Sequence, residues 1–230
     1  MALPLQLFAQ TARVPFVGCE LGGQVRSEAP AGKDEVVRMP PQAAQRLAYY
    51  KESFRGTGIL APRGWHCTGF IGSGGSNMLI TPEPFTLADL VTEGITGSFI
   101  ELESVSGETG SGLHDMAEIL ARVFPMQKAF VRDVAQEKEV TFQYGPFPND
   151  QIITQTDQVV RYRTPAYEKG LGTLTREKAT GDPIDGVAVF HPAKLNPGLR
   201  MLRVRLPRQM QNLTPAIIRD LLVRESSDTR

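Results

Sequence analysis

The chain is short of the residues that usually announce chemistry. Its 230 residues include two Cys, three His and one Trp. Cys19 and Cys67 stand far apart, with no second Cys or His at the spacing of a zinc site. His66, His114 and His191 form neither an HxH nor an HExxH pattern, so neither a metal nor a cofactor is expected. Excess charge is missing too, because 25 Lys and Arg stand against 25 Asp and Glu. A nucleic-acid binder needs a basic surplus to neutralise phosphates, which removes nucleic acid from the expected partners. No apolar run approaches the ~20 residues of a membrane helix, so no transmembrane segment is expected.

Catalytic signatures are equally scarce. The nucleophile elbow G-x-S-x-G is missing around Ser73, Ser76, Ser98 and Ser111. Residues 107–112 have the G-x-x-x-x-G spacing of a phosphate loop, but Leu113 and His114 replace the Lys and the Ser or Thr that would meet phosphate and metal. What remains there is a glycine loop before a helix, whose first N–H groups, with a protonated His114, could hold a small anion. The start of the chain, MALPLQLFAQTARVPFVGC, ends on a Gly-Cys pair that mimics a lipoprotein cleavage site. Gln6, Gln10, Arg13 and Pro15 interrupt it, so it lacks the apolar stretch of a signal peptide. The expectation is an artificial start from which a natural export signal has been removed.

Special residue types gather instead in residues 58–82, GILAPRGWHCTGFIGSGGSNMLITP. Strand formers on either side of Gly72-Ser73-Gly74-Gly75-Ser76-Asn77 predict two short strands joined by a hairpin or wider loop. Trp65 beside Cys67 reads as a packing unit. A Cys19–Cys67 disulfide would close a loop worth about 4 kcal/mol in chain entropy and pin the N-terminal arm onto this segment. Two reduced thiols in a cytosolic protein, or a reactive Cys67, are the alternatives.

Elsewhere the pattern predicts an extended arm over residues 1–38 with one short strand at 35–38, then a domain over 39–230. Pro40 and Pro41 open a predicted helix over 42–54, ended by Gly56 and Gly58. Thr86 caps a short helix, and 98–105 is a strand with Ile100 and Leu102 inward and a wet face at Glu101 and Glu103. Leu113, Met116, Leu120, Val123 and Phe124 make the clearest amphipathic stripe, broken at Pro125. A second helical stretch over 126–137 turns Ala129, Phe130 and Val134 inward. Strands follow at 140–144, 152–154, 159–163, 187–190 and 200–206, and a last helix covers 214–224. Helices grouped before a run of strands predict an α+β fold: a single domain, with a mixed or antiparallel sheet and packed helices.

LAPRGWHC at 60–67, GSGGS at 72–76 and ITP at 80–82 resemble a segment of an uncharacterised group of exported bacterial proteins. The similarity extends to GLGT at 170–173, PIDGVA at 183–188 and LRVRLP at 202–207. That group has no assigned activity, so the resemblance implies export to the periplasm or beyond and carries over no functional residue.

Two constellations remain. Cys67 could act as a nucleophile with His114 or His191 as base, which would make the protein a cell-envelope cysteine hydrolase. Arg161 with Arg163, and Arg203 with Arg205, each share one face of a strand. If those strands are neighbours, four guanidiniums line a surface that grips carboxylates or phosphates; the bland alternative is a solvated face paired with Glu101, Glu103 and Glu139. The reading preferred from sequence is a non-enzymatic binding or interaction domain whose partner is a small anionic ligand or a cell-envelope component.

Overall fold

The alternation between residues 99 and 106 lies near the middle of an eight-stranded sheet. The computed structural model describes residues 10–24, 26–54, 57–193 and 195–228. The sheet runs in the order β10 (Gln151–Gln155), β11 (Val159–Thr164), β12 (Ile184–His191), β13 (Gly198–Arg205), β9 (Phe99–Ser106), β8 (Gly75–Thr81), β7 (His66–Gly72) and β3 (Glu20–Gly23). Every pairing is antiparallel except β3 on β7. The result is a sheet-rich mixed fold.

Because directly paired residues share a face, the register assigns each side chain to one side. One face carries Val105, Met201, Ala188 and Tyr162. It packs under α3 (Gly110–Val123), whose buried residues include Met116, Ala117 and Leu120, and under α4 (Lys128–Lys138). Its far end continues into Phe70, Leu79, Phe99 and Ile184, beneath Leu90 of the short helix α2 (Leu87–Thr92). The opposite face carries Met78, Ile100, Leu102, Val187 and Leu202. It is covered by α5 (Thr214–Asp228) and by a three-stranded sheet of β2 (Phe16–Gly18), β5 (Leu47–Lys51) and β6 (Ile59–Pro62). A two-stranded ribbon of β1 (Thr11–Val14) and β4 (Glu35–Arg38) completes that side.

Several expectations need correction. The helix predicted over 42–54 is a single turn, α1 (Pro41–Ala44), followed by β5. Leu47, Ala48, Tyr49 and Tyr50 are all buried, and a run that is apolar on both sides suits a strand between partners better than a one-sided helix. Gly56, named as a stop for that helix, lies outside the described residues, as does Gln6 of the leader-like start. Residues 140–144 form no strand. Glu139 ends α4 in the left-handed conformation, and the segment runs back along α3, with Gly145 N–H bonded to Ala121 C=O. Of the residues expected inward on the second helix, Val134 is buried, but Ala129 is exposed and Val131 takes its place. The wet face of β9 is not wet either, since Glu101 is buried beside β13.

Other expectations hold in outline. The glycine segment closes β7 onto β8 with a two-residue turn at Ser73-Gly74, tighter than a wide loop. Thr86 caps α2, its hydroxyl accepting from Asp89 N–H while the Asp89 carboxylate accepts from Thr86 N–H. The described part of the segment expected as an arm contributes β1 to β4 to all three sheets. Its anchor is Cys19, whose Sγ lies 2.12 Å from Cys67 Sγ, at disulfide distance. No helix among the described residues is long and apolar enough to cross a membrane.

The bridge links positions 48 residues apart, so chain entropy alone makes it worth about 4 kcal/mol. Replacing both Cys19 and Cys67 by Ser is expected to lower the urea unfolding free energy by about 2–4 kcal/mol. The unreduced, denatured wild type should show no free thiol on alkylation. A labelled Cys67 in unreduced protein would contradict the bridge.

Candidate functional site

The residues singled out in the sequence are dispersed by the fold. Arg161 pairs with Val187, and Val187 pairs with Leu202, so Arg161 shares a face with Leu202 and not with its neighbour Arg203. Strand β12 also separates β11 from β13. The two arginine pairs are therefore neither on adjacent strands nor on one side of the sheet, which removes the four-guanidinium surface. Arg163 is held by Asp185 on the next strand, through Nη2 at 3.1 Å and Nε at 3.1 Å. Arg203 and Arg205 are 0% and 1% exposed and face inward, away from any solvated surface.

Around Arg203 the structure assembles a buried ionic cluster. Arg203 Nη1 donates to Glu101 Oε2 at 2.8 Å across the β13–β9 pair, and lies 2.8 Å from Glu103 Oε2 and 3.5 Å from Glu177 Oε1. Asn77 on β8 donates its amide to Glu101 Oε1. Tyr162 leans in across Gly186, where an added Cβ would meet the phenol oxygen at 2.4 Å. Arg205 donates to the carbonyls of Thr96 and Gly97 at 3.2 Å, and to Lys178 C=O, tying β13 to the loop that carries Glu177. Glu139, expected from sequence as a further partner, takes no part. Burial and the neighbouring Glu177 carboxylate push the Glu101 carboxyl well above the ordinary carboxylate range. Burial would raise Glu177 as well, but Arg203 and its hydrogen bonds outweigh that and hold it at about 2. The two carboxyls are thus pushed apart, Glu177 towards the ionised form against the guanidinium and Glu101 towards the protonated form. The cluster lies between the two apolar clusters of its face, and at Asn77 and Glu103 it borders a recess of about 290 Å³ beside the β7–β8 turn.

The nucleophile candidates are not assembled either. Cys67 is bonded to Cys19, so no thiol is present in this form. His191 lies four strands away across the sheet, at least about 19 Å at ordinary strand spacing. Its Nε2 lies 2.7 Å from Glu225 Oε2, and Arg200 binds the other oxygen of that carboxylate at 2.8 Å. His114 sits on α3, over the opposite face, with its ring 5.2 Å from that of Phe142. The glycine loop before α3 is closed by its own side chains. Thr109 caps the helix by accepting from Gly112 N–H, and it donates to Ser73 C=O at 2.6 Å. Ser111 donates to the Ser73 hydroxyl at 3.1 Å.

A recess lies where the sequence suggested no site. A groove of about 620 Å³ runs between β4 and α5, with Tyr49 of β5 at its base. Arg224 spans it: Nη1 donates to Glu35 Oε1 at 2.9 Å, Nε donates to Asp220 Oδ2 at 2.8 Å, and the guanidinium stacks 4.3 Å above the Tyr49 ring. Burial alone would lower the Arg224 pKa, but the hydrogen bonds to Asp220 and Glu35 outweigh it and raise it, fixing the positive charge. Tyr49 is fixed in turn, its hydroxyl accepting from Gly58 N–H at 2.8 Å. On the rim, Arg38 and Arg219 are exposed, with no carboxylate partner among the described residues. A second opening of about 500 Å³ shares Tyr49 and Arg224 and adds Lys33 and Lys51. Among the described residues, no group of His, Cys, Asp and Glu could hold a metal ion.

The chain matches no family model, no curated protein and no solved structure. The residues of the groove must carry the functional argument alone. Its one legible trace in the sequence was the spacing of Arg219, Asp220, Val223, Arg224 and Ser227, which places them together on one side of a helix.

The charge cluster makes a measurable demand. Glu177, depressed in the folded state, contributes stability that is present above pH ~4.5 and lost as pH falls towards 2. Glu101, raised in the folded state, works the other way: the native state keeps a proton that the unfolded chain releases, so stability declines above pH ~4.5. Glu101→Gln is expected to abolish that decline, which amounts to at most about 1.4 kcal/mol per pH unit. Urea unfolding of wild type and variant between pH 4.5 and 8 checks it, and parallel curves would contradict the protonated Glu101. Arg203→Met, which strands the carboxylates, should cost about 3–5 kcal/mol at pH 7 in the same measurement.

Proposed function

We propose that this protein is a non-enzymatic binding domain that takes an anionic ligand in the groove between β4 and α5. The observation that carries the proposal is the arrangement of three guanidiniums there. Arg224 is fixed at the base by Glu35, Asp220 and the Tyr49 ring, while Arg38 and Arg219 stand on the rim without a carboxylate partner among the described residues. The two carboxylates beside them, Glu35 and Asp220, are both taken by Arg224. Carboxylates or phosphates entering the groove would meet fork-shaped donors on both sides. The chain as a whole is neutral, so this is a local concentration of positive charge and not part of a basic surface.

The reading extends to fold and location. It takes the chain as one α+β domain, exported to the periplasm or beyond, in keeping with the resemblance to an exported bacterial group. An oxidising compartment would preserve the Cys19–Cys67 bridge, which holds the arm in place and with it β4, one wall of the groove. A cysteine hydrolase built on Cys67 finds no geometry in its favour, since neither His114 nor His191 approaches that sulfur.

Titration calorimetry with pentaglutamate and with dextran sulfate tests the proposal. At least one polyanion is expected to bind, with affinity falling steeply as added salt shrinks the Debye length from about 10 Å towards about 3 Å. The double substitution Arg38→Glu with Arg219→Glu should weaken it at least about tenfold, a loss of about 1.4 kcal/mol, with the unfolding midpoint unchanged. Equal binding by wild type and double variant would sink the proposal.

A further inference from the structure

The wall of the groove formed by β4 is an open strand edge. Met39 N–H bonds to Gln10 C=O at 3.0 Å, just beyond the end of the β1–β4 pairing. Antiparallel ladders alternate bonded and non-bonded pairs, so Glu35 and Val37 exchange hydrogen bonds with β1. The N–H and C=O groups of Val36 and Arg38 then point to the other edge. No backbone group among the described residues meets them there, because β4 pairs only with β1. An unpaired edge is a ready template for another strand, and proteins that do not use such an edge usually cover or charge it.

Across the groove, α5 presents a matching wall. Val223, 54% exposed, faces the groove opposite Val36, 51% exposed, and Arg219 stands beside it. The groove therefore combines, over the four residues of β4, two backbone donors and two acceptors, an apolar pair and two guanidiniums. Resting on the reading of the groove as an anion site, we infer that its occupant is an extended acidic peptide that adds as a strand beside β4. Alternate residues of such a peptide would point to opposite sides. Val36 and Arg38 share one face of β4, so the peptide residues opposite them share it too: a carboxylate would go to Arg38, an aliphatic side chain two residues away would go between Val36 and Val223, and a further carboxylate would go to Arg219. Polysaccharides and inorganic anions satisfy the guanidiniums but leave the four backbone groups and the two valines without partners. A second copy of this chain would place β4 antiparallel to β4 with Val36 opposite Arg38, which leaves both guanidiniums without a carboxylate. The combination of edge and charge selects an acidic peptide, in the manner of strand addition.

The test uses a fluorescein-labelled acetyl-Asp-Thr-Val-Thr-Asp-amide, whose two Asp and one Val share a face, its counterpart N-methylated at the Val and the second Asp, and dextran sulfate, all against the full chain. Binding of the peptide, a loss of at least about tenfold on N-methylation, and amide shifts at Val36 and Arg38 on NMR titration are expected. Val36→Pro, which removes one outward N–H and keeps the pairing with β1, should weaken the peptide but not dextran sulfate. Equal binding of the methylated and unmethylated peptides, or dextran sulfate binding with no peptide binding, would overturn the strand-addition inference and leave the anion site standing. Binding of none of the probes would remove the anion site itself. A dimer in sedimentation analysis of the wild type that Val36→Pro dissociates would assign the edge to a second copy and overturn the inference as well.

Discussion

A guanidinium fully removed from water must be met by carboxylates or carbonyls, or the sheet that encloses it cannot form. Arg203 sets that condition for this fold. Its contacts reach Glu101 and Glu103 on the neighbouring strand β9 and Glu177 in the loop after β11. A shift of one residue between β13 and β9 would carry Arg203 to the face packed against the small sheet and strand three carboxylates on the other. The cluster therefore fixes the register at the middle of the sheet, where apolar side chains alone would discriminate less sharply. Arg205 extends the same constraint by holding the carbonyls of Thr96, Gly97 and Lys178.

From that fixed centre the two faces take different roles. The face bearing Arg203 packs under α3, α4 and the loops around Ile95 and Glu177, and Arg203 and Arg205 on it are held by protein partners. The other face is closed by elements distant in sequence: the arm, the small sheet and α5. Closure there leaves a groove, because β4 contributes only a short ribbon with β1 while α5 runs past it. The Cys19–Cys67 bridge matters at this point. It joins the arm to β7, and the Glu35–Arg224 ion pair joins the same arm to the C-terminal helix. Chain segments almost 190 residues apart thus meet in one recess.

Patterning was legible wherever a segment had one clear environment. The stripe of α3, the break at Pro125, the hairpin of β7 and β8, and the Thr86 cap all follow from spacing and local chemistry. Segments with apolar residues on both sides misled. Residues 47–50 are buried on both faces, which spacing alone cannot tell from an irregular helix, and their partners β2 and β6 are supplied by other parts of the chain. Residues 140–144 alternate like a strand but find a helix to lie against.

The charged residues show where sequence ends. Spacing by itself determined that Arg203 and Arg205 lie on one side of a strand with Leu202 and Val204 on the other, because successive residues alternate. Which side faced water was a matter of tertiary structure, since Glu101, Glu103 and Glu177 had to be brought up from two other segments before an arginine could be buried. In the same way, the sequence by itself placed Arg219 and Arg224 on one side of the last helix. Only folding set β4, with its open edge and its Arg38, across from them, because that meeting depends on the arm being tied down some 200 residues earlier in the chain.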